Sequence, residues 1–423
     1  MGLRAARSFA LRSLAHMLPS SSSSSALSPA RERQVLLVLM LMGFTNIVDF
    51  MIMMPLAPLL TREFGITTAQ FGFLVSAYAF AASIASLIMA SIADRFDRKH
   101  VLLLSYGGLI VGTLGCALAP TYATLVIARI VAGAFGGIQS AIALSIVGDL
   151  VPDERRGRAM ALVMMSFSLA AVLGVPLSIY VASLGGWHVP FFALSALCSV
   201  LFIVAYRLIP VMRRHLIAGA KPISLIQGYA ELLRVPNHWW AFLTSALIIL
   251  SGMMVIPFIA PTRVTNEGLS ESQLAYFYLI GGAVTIVTRP YFGRLTDRYY
   301  RPHVFYWTAL LSIIPILLVT HRLGVSLLWQ NMVAALFFIF VSGRFIPFTA
   351  MNAAASAPQL RGRMMSFSSA VQNFSTGIAA SIGGAMLTTS PSGAILGYEA
   401  VGYLSCLLTL MAVAAAYRIR AVS

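Results

Sequence analysis

The chain has 423 residues, 59% of them hydrophobic and only 10% charged, with a mean hydropathy of +0.86. A soluble globular domain carries roughly 25% charged residues, and the charge here is too sparse to coat even one soluble core. A soluble enzyme, a coiled coil and a disordered chain are therefore excluded, and a polytopic membrane protein is the class that fits. The net charge of +16 raises nucleic acid as a partner, but the placement of the basic residues, below, excludes it.

Residues 1–31 are rich in Arg and Ser and free of acids, with Arg4, Arg7 and Arg12 followed by six serines, Ser20 to Ser25. The pattern predicts a disordered cytoplasmic tail over 1–33, with an organellar presequence as the other reading. Beyond it, runs of ~20 mostly apolar residues mark spanning helices. Twelve are predicted, at 35–60, 68–92, 101–119, 122–147, 160–183, 189–210, 237–260, 272–293, 303–320, 325–350, 364–388 and 398–417. A polar cytoplasmic connector, 211–236, carries Arg213, Arg214, Lys221 and Arg234 and divides the chain into 34–210 and 237–418; residues 419–423 form a second cytoplasmic tail.

With the N-terminus inside and the sides alternating, three basic residues fall outside: Arg62, Arg263 and Arg322. Arg129, Arg289 and Arg344 fall within or at the edge of helices, and the remaining 23 of the 29 basic residues are cytoplasmic. This positive-inside bias orients the chain with both termini in the cytoplasm. The charges are topology signals spread over many segments, so no nucleic-acid patch exists. Cys116, Cys198 and Cys406 sit in apolar runs and the histidines show no ligand spacing, so no metal site is expected. No Gly-x-x-x-x-Gly-Lys-[Ser/Thr] occurs, which argues against ATP-driven transport and against an enzyme.

The two halves echo one another. Asp94-Arg95-x-x-Arg98 follows the second span and Asp297-Arg298-x-x-Arg301 the eighth; Arg156-Gly157-Arg158 precedes the fifth and Arg361-Gly362-Arg363 the eleventh. Matching motifs at nearly equal offsets indicate two similar six-helix bundles related by an axis along the membrane normal. The segment Ala90-Ser91-Ile92-Ala93-Asp94-Arg95-Phe96-Asp97-Arg98-Lys99 resembles the signature of the major facilitator superfamily, with both of its glycines replaced. Pro55-Leu56-Ala57-Pro58 and Arg129-x-x-x-Gly133 are similar to its drug and sugar efflux branch, whereas Gly174-Val175-Pro176 gives the antiporter motif only in displaced, incomplete form. The resemblance covers residues 34–418. It implies an all-α membrane protein of twelve transmembrane helices in two pseudo-symmetric six-helix bundles. It also implies a monomeric, multi-pass protein of the bacterial inner membrane, moving a small-molecule substrate without cofactors. The function expected is proton-linked efflux of small organic molecules. Sugar or metabolite uptake, an uncoupled facilitator and a non-transporting membrane receptor are the alternatives.

Asp49 is the acid within a span. An acid in hydrocarbon costs several kcal/mol unless it faces a cavity or a partner, so it is read as a proton carrier, or else as a static hydrogen bond. Arg129 lies at a depth from which its side chain reaches Asp49, and the two form the proton-coupling pair. Asp94 is the family's inner-gate acid by resemblance, with Arg95, Arg98, Asp297, Arg298 and Arg301 completing the gate charges; the alternative is solvated loop charge. Arg344 has no charged counterpart in the repeat, where Gln139 stands. It is read as meeting an anionic substrate or helix-end carbonyls, and Arg289 as a snorkelling helix-end residue. Asn46, Tyr78, Gln139, Gln372 and Asn373, with Arg344, are the cavity candidates. Gly108-x-x-x-Gly112 and Gly133-x-x-x-Gly137 predict close helix packing.

Overall fold

The structure, a computed structural model, describes residues 28–92, 96–212, 225–322, 324, 326–357 and 360–422. Asp94, Arg95, Lys221 and the serine-rich tail to residue 27 lie outside them. Twelve long helices are present among the described residues. Those of the first half are α1 (Pro29–Met51, continued after a break by Ala57–Phe64), α2 (Thr68–Ile92), α3 (Arg98–Ala117), α4 (Tyr122–Leu150), α5 (Asp153–Leu169, a π-helical turn Ala170–Gly174, then Val175–Gly185) and α6 (His188–Leu208). A short helix, Leu225–Leu233, lies in the connector. The second half has α7 (Pro236–Met253, then Ile256–Phe258 and Ile259–Glu267), α8 (Glu271–Arg298), α9 (Arg301–Thr320), α10 (Leu327–Gly343 and Phe345–Ala354), α11 (Arg361–Met386) and α12 (Tyr398–Ala416). A two-stranded hairpin, β1 (Thr388–Thr389) with β2 (Ile395–Leu396), joins α11 to α12.

Ten helices are long and apolar enough to cross a membrane, and α8 and α11 are not among them. α8 is rich in hydroxyls and in charge toward its end, α11 in hydroxyls and amides, and each packs across the halves: α8 against α5, and α11 against α2. Residues 29–33, expected to belong to the tail, are helical. Ser28 accepts from the backbone N–H of Arg31, Pro29 occupies the first turn, and α1 begins there.

The repeat extends to the face opposite the termini. Pro55 breaks α1 and Pro257 breaks α7, each lacking the N–H that would continue the ladder. Gly65 (φ 60°) ends the α1 continuation and Gly268 (φ 68°) ends that of α7, both left-handed. Then Thr67 and Gln70 exchange backbone and side-chain hydrogen bonds, as Ser270 and Gln273 do: a capping box at the start of α2 and of α8. Because α7 continues to Glu267, Arg263 is not the exposed charge the sequence suggests. It is buried, paired with Glu267 one turn on and donating to the Val319 carbonyl.

The largest apolar cluster spans both halves at this far face, joining Ile52, Met53 and Phe71 to Met254, Phe258 and Ile259. Toward the terminal face the halves have separate cores, around Leu39, Tyr106 and Ile146 in one and Phe305, Phe348 and Ala412 in the other. The molecule is thus closed at the far face. There α2 and α11 come together through Gly72, where an added Cβ would lie 2.4 Å from the Ala380 carbonyl oxygen.

Candidate functional site

Asp49 sits just before the break in α1 and is fully buried. One Nη of Arg129, on α4, lies 3.0 Å from its Oδ2 and also donates to its backbone carbonyl at 3.1 Å. The Thr113 hydroxyl, on α3, donates to Oδ1 at 2.8 Å. The Arg129 guanidinium, itself fully buried, stands 4.3 Å from the ring centroid of Tyr78 on α2, an attraction of about 1–2 kcal/mol when dry. Two of its nitrogens, Nε and the second Nη, have no hydrogen-bond partner. Four helices thus converge on one ion pair from which water is excluded.

The glycines of α4 make the convergence possible. A Cβ on Gly133 would lie 2.3 Å from the Tyr78 carbonyl oxygen, and one on Gly136 would lie 2.5 Å from the Tyr78 hydroxyl and 2.6 Å from Asn46 Oδ1. In the space left, Tyr78 donates to Asn46, and Asn46 donates to the Gly136 carbonyl. Gly112 plays the same part between α3 and α4, where its Cβ would meet Ala132.

Further toward the terminal face, a cavity of about 190 Å³ opens between α1, α3, α4 and α5. Leu39, Met42, Ile47, Leu102, Met164 and Phe167 give it apolar walls. Gln139 lines it while 2% exposed, and neither its amide oxygen nor its nitrogen has a partner. Arg289, on α8, reaches across to the other half: it donates to the Ser168 hydroxyl at 3.3 Å and lies 4.5 Å from the Phe167 ring centroid. It is therefore an inter-half contact rather than a snorkelling side chain. Arg344, at the break in α10, points into the second bundle. Its guanidinium donates to Ser312, Thr409 and Ser251 at 2.9–3.1 Å, and among the described residues no carboxylate pairs with it. Gln372 and Asn373 are half-buried on α11, with Gln372 donating to Ser368 at 3.4 Å.

Of the gate residues described, Arg98 pairs with Asp149 at the end of α4, 2.7 Å away. Its counterpart Arg301 lacks that acid, because Ala354 stands where the repeat would place it; Asp297, Arg298 and Arg301 are all exposed. Asp97 emerges as the structural acid of this segment. It is buried, caps α3 by accepting from the Lys99 N–H at 2.8 Å, and accepts from the Met212 N–H beyond α6 at 3.2 Å. Burial opposes its ionisation, but the Met212 and Lys99 N–H donors and the His100 ring overcome this and hold its carboxyl below the usual carboxylate range. A depressed carboxyl stabilises the fold above its unfolded value and loses that contribution as pH falls through the folded one. Asp97→Ala is expected to cost about 1 kcal/mol at neutral pH, read as a lower melting temperature. The gap from wild type should close below about pH 4; a gap that persists in acid would contradict the reading.

A family model described as Major Facilitator Superfamily matches residues 39–357. The chain belongs to the major facilitator superfamily. It is 26% identical over 365 residues to an MFS-type transporter, YceJ, of Bacillus subtilis (strain 168), covering 84% of this chain and 90% of that one. It is 27% identical over 292 residues to a chloramphenicol resistance protein of Streptomyces lividans, covering 68% and 71%. Among solved structures, a D-xylose-proton symporter superposes with a TM-score of 0.74 at 15% identity, over 90% of this chain and 97% of the other. The facilitator is thus a multi-pass membrane transporter, not an enzyme, and its twelve helices have the superfamily's fold. Thr113 and Asp149 were not singled out in sequence, and Asp97 only as a replaced glycine; hydroxyls and helix-end acids have no signature until packing brings them to a charge or a backbone N–H.

Proposed function

We propose that this facilitator exports small organic molecules in exchange for protons, by alternating access, as a monomer. We place both termini in the cytoplasm of a bacterial inner membrane. The observation that carries the reading is the sealed Asp49–Arg129 pair beside the break in α1. An ionised carboxylate in so dry a place needs the guanidinium; when the guanidinium withdraws, a proton must take its place. The spare donors of Arg129 allow substrate or water to compete for it. Movement of the halves would then change the proton occupancy of Asp49 and the face to which it is exposed. Export is supported by the kinship with a protein of chloramphenicol resistance, and the cytoplasmic termini by the excess of basic residues on that side. Asp94 completes the reading as the acid that closes the cytoplasmic gate, with Arg95 beside it.

Purified protein in liposomes tests this with chloramphenicol, D-xylose and naphthalenesulfonate as probes. An antiporter accumulates its probe in vesicles that are acid inside. Accumulation in vesicles acid outside would make it a symporter, and equilibration indifferent to the gradient an uncoupled facilitator.

A further inference from the structure

The interior of this protein has an unbalanced charge. Away from the helix ends, the described spans hold one acid, Asp49, and three arginines, Arg129, Arg289 and Arg344. Asp49 and Arg129 cancel in their ion pair. Arg344 is enclosed by the hydroxyls of Ser251, Ser312 and Thr409. Arg289 is left with a single hydroxyl, that of Ser168, and one ring face, that of Phe167. A guanidinium offers five donors and does not lose its charge, so this one, half-buried, has most of its donors free to receive another partner.

Its place is specific. Phe167, whose ring Arg289 covers, is also a wall of the 190 Å³ cavity. Arg289 lies 18 residues along α8 from its far-face end and Gln139 lies 17 along α4 from its own, about 27 and 26 Å at 1.5 Å per residue. The two are therefore level, one on each half. Gln139 and Phe167 line the same cavity, and the Gln139 amide, unpartnered and 2% exposed, can both donate and accept. A buried amide without partners carries a desolvation cost that a ligand's polar group would relieve.

We propose that the transported molecule is an amphipathic organic anion: its acidic group is received by Arg289, its apolar body lies against Phe167 and Met164, and a neutral polar group pairs with Gln139. This names the substrate class of the transport reading above and rests on it. Cations are disfavoured because, among the described residues, the one carboxylate in the spans away from the helix ends is already paired with Arg129. Arg289 thereby determines specificity for charge and also ties α8 to α5, so an anion arriving there competes with an inter-half contact.

The test is binding to the full chain at neutral pH, in nanodiscs of zwitterionic lipid so that no anionic headgroup competes. The probes share one body: naphthalenesulfonate, naphthalenesulfonamide and naphthyltrimethylammonium. The sulfonate is expected to bind at least about tenfold tighter than the ammonium, as charge-assisted hydrogen bonds allow. Arg289→Gln should weaken the sulfonate about tenfold and the sulfonamide less than about twofold; Arg289→Lys should restore part of the difference, and Arg289→Glu should invert the preference. Gln139→Leu should weaken sulfonate and sulfonamide alike. Equal or tighter binding of the ammonium, no binding of the sulfonate, or an equal effect of Arg289→Gln on sulfonate and sulfonamide would overturn the proposal; the last would leave Arg289 as a helix tie only. Sulfonate binding lost only when anionic lipid is added would show the site to be a headgroup site and overturn it equally. No gradient enters these measurements, so their failure leaves proton coupling standing, and a failure of coupling leaves the charge selectivity standing.

Discussion

Arg129→Ala is expected to abolish gradient-driven transport, as Asp49→Asn does, and to destabilise the first bundle. The alanine leaves the Asp49 carboxylate with the Thr113 hydroxyl alone, in a site with no exposure to water. Removing one partner of a buried ion pair costs about 3–5 kcal/mol, because the other charge is stranded. The cation–π contact to Tyr78 is lost as well, and with it the packing that holds α2 against α4. Asp49→Asn keeps an acceptor for Thr113 and Arg129 and the packing on Tyr78, but it leaves the buried guanidinium without its counter-charge. Arg129→Lys should recover stability better than coupling: a point charge can neutralise Asp49, but it lacks the planar guanidinium that lies on the Tyr78 ring and keeps spare donors there. Melting curves and gradient-driven uptake read the two effects separately. Equal stability of Arg129→Ala and wild type would show that the pair contributes nothing to the fold.

Gly72→Val should hold the far face open. Where α2 meets α11, a Cβ on Gly72 would lie 2.4 Å from the Ala380 carbonyl oxygen and 3.1 Å from the Gly384 Cα, both main-chain atoms that cannot swing aside. Forcing side-chain atoms into such a contact costs about 1–3 kcal/mol, borne by the far-closed state alone. That shifts the balance between states by about 5–150-fold. Spin labels at Thr67 and Ser392, exposed on the two halves, should move apart, and turnover should fall while binding persists. Gly293→Ala, which meets nothing within 4 Å, is the control. An unchanged distance distribution with normal turnover would mean that the α2–α11 contact does not open in the cycle.

The twelve spans were legible because a bilayer demands apolar length. The break in α10 at Arg344 was not, because the apolar run 325–350 reads straight through it; nor was the continuation of α7 to Glu267, because Arg263 reads as an end until its partners are known. The repeat was seen only at the terminal face, where it is written in charges. At the far face it is written in Pro55 and Pro257, Gly65 and Gly268, and two capping boxes, residue types too common to stand out alone. The meeting of Asp49 and Arg129 followed from their depths. The ring of Tyr78 over Arg129 did not, nor did the hydroxyls around Arg344, which come from α7, α9 and α12 and lie far apart in sequence. Asp97 read as a departure from a glycine-containing motif; in the fold it is the cap of α3 and an anchor for the chain beyond α6.

The central claim is that Asp49 carries the proton that drives transport, and uphill uptake by Asp49→Asn tests it most directly. Wild type and variant are placed in liposomes that are acid inside, with the probe that wild type accumulates. The variant should still exchange labelled for unlabelled probe across the membrane, because its site can form and its halves can move. It should fail to accumulate probe above the external concentration. Accumulation by Asp49→Asn at the wild-type level under the same pH gradient would show that the proton is carried elsewhere, and would contradict the account.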